Sequence, residues 1–197
     1  SAITPALAKE PVDPELLQLA GEVYLQSGDA KKAEEFFAKA IKQDPQNARR
    51  RTALAVSQLA GGHVDTAFNE LEQIAGSDKG TAADMALISA HLRRQEFDKA
   101  LKSIDALEKK QPGKPDVAVL QGRTYLAKKD PGNARKSFER ALAISPTFFP
   151  AIANLAAIDM VEKKPEEAKK RFESLLAKEP KNGQALMALA ELAARSG

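Results

Sequence analysis

Proline returns along this chain at a nearly constant interval. Pro11, Pro45, Pro112, Pro146 and Pro180 are separated by 34, 67, 34 and 34 residues, and 67 is two intervals with one residue missing. A second residue type keeps the same interval: Ala33, Ala67, Ala100, Ala134 and Ala168 follow one another at 34, 33, 34 and 34. Self-similarity at one such period constrains the fold more than any other feature. A unit of roughly 20–50 residues cannot bury its apolar face alone, so it must lay that face against its neighbours in a stacked array.

Each unit reads as two helices. Apolar residues recur at helical spacing, as in Phe37, Ala40 and Ile41. Gly28-Asp29, Gly61-Gly62 and Asp130-Pro131-Gly132 supply turns between paired helices. The periodic proline ends the second helix, because it lacks a backbone donor and disfavours α geometry in the residue before it. Composition agrees with close helix packing. Apolar residues make up 43% of the chain, Ala and Leu dominate them, aromatics are 5% and Trp is absent.

The residues at matched places resemble the tetratricopeptide repeat. Leu17, Gly21, Tyr24, Ala33, Phe37, Ala40 and Pro45 occupy its characteristic places in one unit. Gly122, Tyr125, Ala134, Phe138, Ala141 and Pro146 do so in another, and Ile152, Leu155, Ala156, Ala168, Phe172, Leu175 and Pro180 in a third. The resemblance implies an all-α fold, a right-handed superhelical solenoid of helix–turn–helix repeats. Gly or Ala at the eighth place and Ala at the twentieth let paired helices approach closely, and Tyr and Phe fill the wedge between neighbouring repeats.

The repeats are expected at residues 14–47, 48–80, 81–114, 115–148 and 149–182. Residues 1–13 read as the end of a preceding repeat and residues 183–197 as the first helix of a sixth, so the chain reads as a piece of a longer array. The second and third repeats are degenerate: Arg51 and Asp84 stand where a large apolar residue is usual, Lys79 replaces the terminal proline, and Ile88 stands at the small-residue place. Irregular packing is expected around the loose link Gly76–Gly80.

Several function classes lack support. Thirty Lys and Arg against 27 Asp and Glu give a net charge of +3, too balanced for a nucleic-acid partner. No cysteine is present, which excludes disulfides, thiolate metal sites and cysteine nucleophiles. No apolar run long enough to insert in a membrane occurs. His63 and His91 are the two imidazoles and read as a surface and a packing residue, without metal-ligand spacing. Glu34-Glu35 and Glu166-Glu167 read as solvated acids early in second helices, where carboxylates complement the helix dipole. Arg49-Arg50-Arg51 reads as the solvated opening of a helix. Gly61-Gly62 lacks the Lys-Ser or Lys-Thr of a phosphate loop. No catalytic set, cofactor site or metal site is expected.

In the family that the chain resembles, first helices line a concave groove. Carried over, that groove presents Glu22 and Leu25, then Arg49, Val56 and Leu59, then Met85, Leu92 and Arg93, then Val119, Arg123 and Leu126, then Ala157, Met160 and Val161, and finally Met187. The N-terminal part is polar and acidic; the C-terminal part is apolar and suits a partner helix or extended segment, since methionine thioethers adapt to irregular shapes, the alternative being that Met160, Val161 and Met187 pack against further repeats of a longer array or against each other. The stretches Phe148–Asp159, Lys163–Glu173 and Asn182–Ala194 resemble bacterial tetratricopeptide lipoproteins of the PEP-CTERM/exosortase (PrsT-like) type. These accompany exopolysaccharide production and surface-protein sorting. That resemblance implies a non-catalytic scaffold for a protein or peptide partner in the periplasm or cell envelope, with a cytoplasmic location as the alternative. The rival readings are a module that binds an acidic polysaccharide or regulates its synthase, and an appendage of a catalytic domain.

Overall fold

The computed structural model describes residues 13–196, with side chains through residue 194. The expected end of a preceding repeat, residues 1–13, lies outside the described residues apart from Asp13. Among the described residues there are eleven helices and no strand. They are α1 (Pro14–Gln26), α2 (Ala30–Gln43), α3 (Ala48–Ala60), α4 (Val64–Ser77), α5 (Ala82–Arg93), α6 (Phe97–Lys110), α7 (Pro115–Ala127), α8 (Pro131–Ile144), α9 (Phe149–Val161), α10 (Pro165–Lys178) and α11 (Gly183–Ser196).

Local chemistry sets the helix starts. Asp13, Asp29, Asn47, Asp130 and Asn182 each accept a hydrogen bond from a backbone N–H of the first turn, at 2.9–3.1 Å. Proline opens α1, α7, α8 and α10, where its missing donor costs nothing. One turn recurs between paired helices. Asp29, His63, Glu96, Asp130 and Lys164 each donate their backbone N–H to the carbonyl five residues earlier, at 2.8–2.9 Å. The residue before each donor is left-handed. It is glycine at Gly28 and Gly62, but Gln95, Lys129 and Lys163 at the matching places.

The chain divides into two compact units, residues 1–103 and 104–197, and the division falls inside α6. In the first unit α1 to α5 pack on one another in sequence, with additional contacts between the first helices α1, α3 and α5. In the second unit α7 to α11 pack in sequence. Each unit is therefore a stack of helical hairpins. The periodic alanines Ala33, Ala67, Ala100, Ala134 and Ala168 are all fully buried.

Hairpin closure depends on one contact. A Cβ built on Gly21 would lie 2.6 Å from the Phe37 ring, and one on Gly122 would lie 2.5 Å from the Phe138 ring. Both rings are fully buried, each worth roughly 1.5–3 kcal/mol. These phenylalanines thus close their own hairpins, whereas the sequence assigned them to the wedge between repeats. Phe138 also extends into the next hairpin, in a cluster with Ala151 and Leu155 of α9.

The link Gly76–Gly80 does not loosen the packing. Leu71 and Ile74 of α4 share one core cluster with Ala83 and Leu87 of α5, directly across that link. Asp78 accepts from the Gly80 N–H at 3.0 Å and pins the turn. Apolar contact across the loop overrides its flexible composition.

Candidate functional site

The candidate binding surface is formed by first helices, and it differs between the two units. In the first unit the polar end is internally neutralised. Arg50 Nη2 lies 2.7 Å from Glu15 Oε1 and its Nη1 lies 3.6 Å from Asp44. Arg49 reaches Glu22 at 3.8 Å, and Gln18 donates to Glu22 at 3.0 Å. Arg51 Nε sits 2.6 Å from Glu70. The expectation of a solvated arginine opening therefore holds for Arg49 alone. Arg50 is buried and Arg51 partly so, because carboxylates of α1, the α2 terminus and α4 surround them. Among the other expected groove residues here, Met85 and Arg93 are exposed, whereas Leu25, Val56, Leu59 and Leu92 are half-buried.

In the second unit Arg123 and Ala157 are exposed, and Leu126 and Met160 are half-buried. Val161 and Met187 stand 85% and 67% exposed. Val119 is not a surface residue. It is buried in the core cluster with Ala118, Ala134 and Phe138, so its side chain cannot meet a ligand. The same core cluster takes in Ala151, Leu155 and Ile158 of α9, so α8 and α9 both contribute to the core that holds Val119. The second unit is also the more basic, with 17 Lys and Arg against 12 Asp and Glu, compared with 13 against 15 in residues 1–103.

The two imidazoles behave differently from each other. His63 is exposed at the start of α4, with Nδ1 3.4 Å from Glu34. His91 is buried, stacks on Phe68 with centroids 4.7 Å apart, and its Nδ1 lies 2.8 Å from Glu96. That hydrogen bond, with a second from Arg94, lowers the Glu96 carboxyl to about 2. Among the described residues no group of three His, Cys, Asp or Glu side chains could hold a metal ion, and no helix is long and apolar enough to cross a membrane.

One polar cluster escaped the sequence reading. Asp159 of α9 is buried, accepts from Arg135 of α8 at 2.9 Å and from Arg171 of α10 at 2.5 Å, and Arg135 also reaches Glu162 at 3.1 Å. Burial by itself would raise the Asp159 carboxyl; hydrogen bonds from Arg171 and Arg135 outweigh it and hold the carboxyl below its ordinary value. The available signal was an acid at the place that Tyr24 and Tyr125 fill in other repeats. The cluster ties α8, α9 and α10 together.

Hairpins of near-constant length, joined by one repeated turn and stacked in sequence within each unit, define a helical-repeat protein whose exposed first-helix residues form its candidate binding surface. The chain belongs to the tetratricopeptide repeat family. That family's pattern matches residues 1–57, 24–83 and 125–192, and a second tetratricopeptide repeat pattern matches residues 85–147. The chain is 32% identical over 142 residues to cellulose synthase operon protein C of Pseudomonas fluorescens (strain SBW25), a match that takes in 72% of this chain. It spans only 8% of the length of that relative. Among solved structures it resembles yeast Tom70, with a TM-score of 0.71, 17% identity, and 98% of this chain and 42% of that chain covered. It also resembles YrrB, described as a TPR protein with an unusual peptide-binding site, with a TM-score of 0.54, 22% identity, and 76% and 78% covered. At such identities these two likenesses concern the fold alone.

Proposed function

We propose that this chain is a non-catalytic protein-interaction scaffold whose first-helix faces hold a peptide or a partner helix, within a bacterial envelope system for exopolysaccharide production and protein sorting. The observation that carries the reading is the exposure of Val161 of α9 and Met187 of α11, together with half-buried Met160, in the second unit. Large apolar groups left in water gain free energy when a partner covers them, at about 25 cal/mol per Å². The peptide-binding description of YrrB supports a peptide ligand. The cellulose synthase operon relative supports a polysaccharide-linked setting, and the resemblance of Phe148–Asp159 and its neighbouring stretches to PEP-CTERM-type lipoproteins narrows it further.

A second reading, binding of an acidic polysaccharide, draws on the basic excess of residues 104–197 and the exposed Arg123. Arg49 contributes little to it, since Glu22 faces that guanidinium. The two readings separate in one experiment. The chain is used as bait in a bacterial envelope extract, with cross-linking and mass spectrometry, beside a Val161→Asp, Met187→Asp variant whose substitutions lie at exposed positions and spare the core. The scaffold reading expects a protein cross-linked to α9 or α11 whose recovery falls at least tenfold with the variant. Equal recovery by both forms refutes it. Recovery of an acidic glycan that salt releases favours the second reading.

A further inference from the structure

A groove of the same make occurs in each unit, and the two linings differ in chemistry. In the first unit it lies among α2, α3 and α4 and has a volume of about 440 Å³. Ile41, Pro45 and Leu54 give it an apolar side. Thr66, Asn69 and Gln73 of α4, three and four residues apart and so on one face, line it together with Gln58 of α3. Arg51 and Glu70 also line it, and their charges cancel, with Arg51 Nε 2.6 Å from Glu70 Oε1. Among the described residues, nothing bonds the side chains of Gln58, Thr66, Asn69 or Gln73.

The matching groove of the second unit is charged and internally paired. There Ile152, Glu167, Lys170 and Arg171 stand in the places of Arg51, Thr66, Asn69 and Glu70. Lys170 bonds Glu167 at 3.0 Å, and Arg171 bonds Asp159 at 2.5 Å. A polar hollow between α7 and α8 is satisfied from within as well: Ser137 and Arg140 both donate to Gln121, and Asn133 donates to Asp130. The α2–α3–α4 groove alone of these three combines cancelled charge with neutral polar side chains that have no protein partner.

That lining selects a ligand class. A carboxamide donates and accepts at once, and so does a hydroxyl, so the matching ligand carries closely spaced groups that do both. With its charges cancelled, the groove gives neither an anion nor a cation an advantage. Pro45, Leu54 and Ile41 offer an apolar side to the C–H face of a pyranose ring. A peptide fits less well, because the groove has no uncompensated charge and no enclosed apolar pocket to anchor a side chain.

We propose that the α2–α3–α4 groove binds a neutral oligosaccharide, with one hexose ring against Pro45 and Leu54 and its hydroxyls on Gln58, Asn69 and Gln73. None of these residues belongs to the first-helix faces proposed above, so the two surfaces are separable.

The test titrates the isotope-labelled full chain with four probes and follows its amide resonances by NMR. The probes are maltotriose, cellotriose, the acidic trisaccharide trigalacturonate, and the blocked peptide acetyl-Gly-Ala-Ser-amide. At least one neutral trisaccharide should shift the amides of Leu54, Gln58, Asn69 and Gln73 saturably, with a Kd on the order of millimolar, since no aromatic platform supports the ring. The acidic sugar and the peptide should bind at least fivefold more weakly. A Gln58→Ala, Asn69→Ala variant should weaken the sugar at least fivefold, and its unshifted resonances elsewhere verify that the fold persists. Lys170→Ala in the matching groove, and Val161→Asp with Met187→Asp on the first helices, should change nothing, which keeps this test independent of the scaffold reading. No saturable shift from either neutral sugar at about 20 mM overturns the proposal. So does undiminished binding by the Gln58→Ala, Asn69→Ala variant. Trigalacturonate or the peptide bound as tightly as the neutral sugars would assign the groove to another ligand class and overturn it too.

Discussion

Asp159→Asn removes one charge from the cluster that joins α8, α9 and α10 while keeping the side-chain shape. The Asp159 side chain is 3% exposed, and its partners Arg135 and Arg171 are 25% and 28% exposed. Breaking a fully buried ion pair costs about 3–5 kcal/mol, because it strands an uncompensated charge. Both guanidiniums here keep access to water, and Arg135 retains Glu162, so solvent screening brings the cost down to about 2 kcal/mol. Urea unfolding followed by circular dichroism measures it, with amide hydrogen exchange in α8 to α10 locating the loss. A triple variant, Arg135→Leu, Asp159→Leu, Arg171→Leu, should lie close to the parent chain, because it removes the desolvation cost together with the attraction. The pH dependence has a definite sign. The folded carboxyl titrates below the unfolded value of 3.8, so its contribution is complete above that value and is lost as pH falls through the lower folded one. The Asn variant should lack that part of the acid destabilisation. A cost under about 0.5 kcal/mol for Asp159→Asn, or a triple variant as unstable as the single one, would refute the reasoning.

Gly122→Ala should destabilise by about 1 kcal/mol in thermal or urea unfolding, since pressing a methyl into the Phe138 ring costs more than helix propensity returns. Adding Phe138→Leu should recover most of that loss, as the buried pair Ala55 and Leu71 achieves in the first unit. Lys129→Gly should raise stability by about 0.5–1 kcal/mol, visible as a higher melting temperature, because φ is +64° there and the matching turns use Gly28 and Gly62. The Glu96 carboxyl should titrate by NMR at about 2, well below its ordinary 4.5, and His91→Leu should move it upward. Its contribution to stability is present above pH 4.5 and is lost as pH falls toward 2.

The helical pairs and much of the core were legible in the linear chain. Helix geometry is local, so a fixed interval between Ala33, Ala67, Ala100, Ala134 and Ala168 places all five on equivalent buried faces. The same logic identified Gly21 and Gly122 as points of close approach, but it did not show that their ring partners lie within the same hairpin. For the candidate site, the period assigned residues to first helices, and exposure then separated Met187 and Val161 from the buried Val119.

Polar pairing was decided at the tertiary level. Arg50 was indistinguishable from Arg49 in the chain, yet packing carries Glu15, 35 residues away, to within 2.7 Å of it and buries it. Asp159 likewise meets Arg135 from 24 residues away. The interval along the sequence determines helix, turn and apolar face, because backbone geometry and burial repeat with it. Which long charged side chains meet depends on what the neighbouring helices place beside them, and that varies from hairpin to hairpin within the same period.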